Sequence, residues 1–144
     1  MPEMPRPSRE LAVRLTSDLG YDGRINGMEL NTTVGTIDSY LYSLKEVALF
    51  LCGDSEGITQ GIGFVRFIDP DDLREWVRST LGDAELDRAL AKIAGEYEAC
   101  EDSVERYIKK VAAIPPIKEL LLLRLKQGEE VMGEAAAQGG KREG

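Results

Sequence analysis

Histidine is missing from the chain altogether. That removes the commonest general base and the commonest metal ligand, and with them serine–histidine and cysteine–histidine catalysis, zinc fingers and Glu-x-x-His di-iron sites. Cysteine is scarce: Cys52 and Cys100 lie far apart and form no C-x-x-C motif, so both read as small buried hydrophobes rather than as a redox or metal pair. Positive charge is in deficit. Against 26 acidic residues stand 18 basic ones, giving a net charge of -8 and a pI near 4.7. Short clusters such as Lys109-Lys110 or Arg124/Lys126 make no patch able to hold nucleic acid, and an anionic membrane surface is repelled for the same reason. No uninterrupted apolar run reaches membrane-spanning length, and the opening Met1-Pro2-Glu3-Met4-Pro5-Arg6-Pro7 has no signal-peptide core, so a cytoplasmic location is expected.

What the chain does contain is enough for one folded domain: 144 residues, of which 42% are hydrophobic. The expected fold is mainly α, a small bundle of about five helices in a single domain over 8–137, between disordered tails at 1–7 and 138–144. Ser8 can cap a first helix carrying Leu11, Ala12, Leu15 and Leu19. Val34, Ile37, Leu41, Leu44, Ala48 and Leu51 then follow a heptad-like spacing that predicts a long helix ending at Gly53. Phe64-Val65-Arg66-Phe67-Ile68 reads as extended, with Ile58–Ile62 as its nearest possible partner in a short β-hairpin over 58–68. Asp69-Pro70-Asp71-Asp72 is a strong helix start, with an N-cap carboxylate, a proline at the first position and negative charge at the positive end of the dipole.

A second long heptad helix is predicted from Asp83. Its apolar positions are Leu86, Leu90, Ile93, Tyr97, Cys100, Val104, Tyr107, Val111 and Ile114, and Pro115-Pro116 should break it. The two long helices would pack antiparallel. The last helix, from Pro116, carries the run Leu120-Leu121-Leu122-Leu123. At about 100° per residue such a run points around most of a helix, more than a terminal helix is expected to bury. Leu120, Leu122 and Leu123 are therefore the candidate contacts for a second copy or another protein.

Three functional readings follow. The first is a non-enzymatic protein working through protein–protein contacts, as a homo-oligomer or an assembly factor, without cofactor, nucleic acid or membrane. The second comes from the loop Asp18 to Glu29, which resembles the calcium loop of EF-hand proteins. Asp18, Asp22, Asn26 and Glu29 match its ligand positions, Gly23 its sharp turn and Ile25 its apolar residue. The resemblance implies Ca²⁺ binding and a helix carrying Leu30, Thr33, Val34 and Ile37 after the loop. Gly20 departs from it by removing one ligand, and no second loop is present. The third is a magnesium-dependent nucleotide hydrolase, similar to helical pyrophosphohydrolases, using Glu98 and Glu101 on one helix face. The other predicted long helix offers no matching acidic pair. A fourth feature, the glycine-rich stretch 53–63, has no P-loop lysine and reads as a connector.

Overall fold

A computed structural model describes residues 4–31, 35–52 and 64–143. The architecture is mainly α, as expected, with a small antiparallel sheet. Helix α1 spans Arg9–Thr16, capped by the Ser8 hydroxyl accepting from the Leu11 amide. A 3-10 turn at Tyr21–Gly23 leads into strand β1, Ile25–Asn31, followed by β2, Gly35–Leu41. Helix α2 is Leu44–Leu51 and strand β3 is Phe64–Phe67. Helix α3, Pro70–Trp76, runs into a π-helical turn at Val77–Leu81. Helix α4 spans Ala84–Glu98, and the very long α5 spans Ser103–Glu143.

The heptad-like segment 34–51 is therefore not one helix. Ile37 and Leu41 share a parity that fits a strand equally well, and the β-branched Thr36 and Ile37 favour extended backbone. Gly35 sits at φ +90°, closed to a helix, and Ser43 caps a fresh start at Leu44 by accepting from the Glu46 amide. Of the helix expected after the Asp18–Glu29 loop, Leu30 lies instead at the end of β1 and Ile37 on β2.

The sheet order is β2-β1-β3. β1 pairs with β2 from Ile25↔Leu41 to Asn31↔Gly35, and with β3 from Met28↔Phe67 to Asn31↔Phe64. The extended reading of 64–68 holds for β3, but its partner is β1. The suggested hairpin partner, 58–62, and the glycine-rich stretch 53–63 lie outside the described residues, as do Thr33 and Val34.

The second expected long helix is also redrawn. It stops at Glu98, and Ala99–Asp102 form a link in which both Arg106 Nε and Nη2 donate to the Cys100 carbonyl. Conversely, α5 passes through Pro115 and Pro116 without ending. A helix-interior proline removes an amide donor and costs about 3 kcal/mol. Here burial of Ala113, Ile117, Leu120, Leu121 and Leu125 on one face offsets that loss.

Helix α5 is the element on which α1, α2 and α4 all pack. Gly128, inside α5, lies 3.2 Å from the Leu15 side chain at an added Cβ, so glycine lets α1 approach closely. α5 continues to Glu143, and Met4 is buried where Gln127 donates to its carbonyl and Arg124 to that of Pro5. Cys100 is buried as expected, whereas Cys52 is exposed, and both thiols are free.

Candidate interaction surface

Leucine surplus in α5 is absorbed largely within the chain. Leu121 is fully buried, Leu120 is 4% exposed, and Leu123 packs partly against the core. Leu120 is thus mostly buried between α5 and α4 rather than turned outward, and only its edge reaches the groove between the two helices. Leu122 alone of the three candidates faces outward, at 37% exposure.

Leu122 is not isolated. Stepping back along α5 by four and three residues gives Lys118, Pro115, Val111, Ile108 and Val104. Val104 is 64% exposed and Ile108 60% exposed. Pro115 is exposed, and Val111 and Lys118 are half-buried. At 100° per residue this line lies roughly 170° around the helix from the core-facing positions Ala113, Ile117, Leu120 and Arg124. α5 therefore carries two faces of heptad type, one turned into the fold and one turned out of it.

The link at Ala99–Asp102 creates the outer face. An unbroken helix would carry the seam of Leu86, Leu90 and Tyr97 on to Val104 and Tyr107. Ending α4 at Glu98 and restarting at Ser103 resets the helical phase and puts these residues outside. Tyr107 retains an inward contact, its ring 5.7 Å from that of Phe67. Beside the outer face runs a groove of about 580 Å³ between α4 and α5, floored by Ala89, Ile93, Pro116 and Leu120 and rimmed by Lys92, Glu96 and Glu119.

Ends of the outer face differ in charge. Glu101, Asp102 and Glu105 surround Val104, while Lys118 and Lys126 flank Leu122. Glu105 pairs with Lys109 along the helix, and neither Lys118 nor Lys126 has an ion pair among the described residues. Lys110, by contrast, turns inward to Asp69 and Asp71. Burial alone would lower its pKa, but the hydrogen bond to Asp71 and the attraction of both carboxylates outweigh that and raise it. Tyr97 donates to Asp71, and its pKa is raised by burial first and then by the Asp71 charge.

The calcium-loop residues are not brought together. The Asp18 carboxylate accepts from the Gly20 amide at 2.7 Å, and Asp22 is exposed on the 3-10 turn. Asn26 and Glu29 lie on β1 at opposite parity, so they face opposite sides of the sheet. Asn26 donates to Asp38, and Glu29 pairs with Arg66. The loop exits into a strand where the EF-hand geometry needs a helix, which is the physical reason these four residues form no ligand shell. Among the described residues no three metal-ligating side chains converge. The Glu98/Glu101 face dissolves likewise: Glu98 pairs with Arg74, and Glu101 stands in the non-helical link.

A second cleft, of about 410 Å³, opens between β1 and α3 and is lined by Arg24, Asn26, Asp69, Asp72, Glu75 and Trp76, among others. The Asp72 carboxyl is held above its usual range by burial, then by the nearby charges of Asp69 and Asp71. Its field rejects anions.

No protein-family model, curated protein or solved structure matches the chain.

Proposed function

We propose that the protein is a non-enzymatic helical protein that works through protein–protein contacts, by self-association or as an assembly factor. The observation that carries the reading is the outer face of α5. Val104 and Ile108 are each more than half exposed, in register with Val111, Pro115 and Leu122 over about five turns of helix. Scattered exposed apolar residues are ordinary on a protein surface, but an apolar line at heptad spacing, interrupted by Lys118, has the form of a helix-docking seam. The apolar groove alongside widens the surface available to a partner.

Sedimentation equilibrium tests the reading. The expected outcome is a mass above 15.9 kDa that rises with protein concentration. A monomer mass at every concentration up to about 100 μM, well above the usual range of specific contacts, counts against self-association.

A further inference from the structure

We infer that the occupant of this outer face is a second copy of the same helix, packed antiparallel about a two-fold axis that crosses the face midway between Val111 and Pro115. The inference rests on the protein-contact reading and specifies its partner and geometry. Charge decides the choice. The face is acidic at its Val104 end and lysine-bearing at its Leu122 end. An antiparallel copy sets Glu101 and Glu105 of one chain toward Lys118 and Lys126 of the other, and does so twice by symmetry. A parallel copy sets carboxylate against carboxylate and lysine against lysine, which electrostatics disfavours.

Sterics agree with the antiparallel arrangement. Pairing positions that sum to about 226 places Val104 opposite Leu122 and Val111 opposite Pro115. Ile108 then meets Lys118, whose alkyl stem covers it while the ammonium turns toward the acidic end of the partner. On the groove side the same pairing brings Lys109 toward Glu119. The line from Val104 to Leu122 is about 27 Å long at 1.5 Å per residue. One helical stripe of that length is smaller than the roughly 800 Å² per partner of a standard interface, so the dimer is a reversible one whose mass depends on protein concentration.

The test is sedimentation equilibrium of five proteins, each checked for native helicity by circular dichroism. The natural chain dimerises. Ile108→Glu, at an exposed position, is monomeric at concentrations at least tenfold higher, whereas the control Leu49→Glu, exposed on α2, dimerises as the natural chain does. The double reversal Glu101→Lys/Glu105→Lys weakens the dimer at least tenfold by opposing lysines at both ends. Adding Lys118→Glu/Lys126→Glu to it restores association. A natural chain that dimerises while Ile108→Glu dimerises equally overturns the assigned face and leaves the protein-contact reading standing. Reversal without effect, or without rescue, overturns the antiparallel arrangement. A natural chain that stays monomeric throughout overturns both the dimer and self-association.

Discussion

Arg124 and Asp83 form the most consequential pair of single residues. Both are essentially fully buried, at 1% and 0% side-chain exposure, with Nε to Oδ2 at 2.7 Å and Nη2 to Oδ1 at 3.1 Å. Asp83 also caps α4 by accepting from the Leu86 amide, and Arg124 reaches the Pro5 carbonyl at 2.6 Å. One charge pair therefore ties the start of α4, the middle of α5 and the N-terminal segment. Arg124→Ala strands the Asp83 charge in the interior and is expected to cost about 3–5 kcal/mol in urea unfolding. Replacing both partners by well-packed apolar residues should cost much less. Tyr97 supplies a pH prediction. Its pKa in the fold lies above the ordinary 10.0, so the folded protein holds that proton more tightly than the unfolded chain. The contribution is complete below pH 10 and is lost as pH rises through the folded value; Lys110, also raised, behaves in the same direction. Stability should therefore fall progressively as pH rises above about 10, and more gently in Tyr97→Phe, as read from urea midpoints at stepped pH. Calcium titration of the natural chain and of Glu29→Gln should give the same null heat, because Glu29 is already engaged by Arg66 and faces away from Asn26.

At the scale of elements, the one break and the one continuity in the C-terminal half both run opposite to local propensity. The chain breaks at Ala99–Asp102, where no proline stands, and continues through Pro115 and Pro116. Packing decides both. Arg106 anchors the break through the Cys100 carbonyl, and Tyr107 meets Phe67 on β3, contacts that a continuous helix would aim elsewhere. Through the prolines, the buried line from Ala113 to Leu125 rewards keeping one helix. Pro115 is exposed, so Pro115→Ala should restore a helical amide without disturbing the core and raise stability by about 1–3 kcal/mol, measured by thermal melting at dilute protein. The strands obey tertiary pairing in the same way. β1 finds partners on both edges, β2 and β3, and that pairing converts an apolar spacing compatible with a helix into extended backbone.

For the whole molecule, α5 is both the central packing element and the carrier of an outward seam. No helix among the described residues is long and apolar enough to cross a membrane. Much of the outcome was legible in the sequence: the mainly α class, the Ser8 and Asp69 helix starts and the extended segment at Phe64–Phe67. These are local properties, set by capping chemistry, proline geometry, β-branching and side-chain spacing within a few residues. The misread helices at 34–51 and 83–114 share one cause. A 3-4 spacing fits a helix, but shorter stretches of it fit a strand or two helices of different phase, and only contacts between distant segments choose among them. Tertiary structure alone decided that 35–41 pairs with β1, that Asn26 and Glu29 face apart, that Leu120 is covered by α4, and that Val104 and Ile108 emerge on the surface. The sequence by itself determined which residues are apolar and how they are spaced. Which of those lines the fold buries, and which it leaves for a partner, depended on the phase reset at Ala99–Asp102, because burial is settled by what packs across a helix rather than by the order of residues along it.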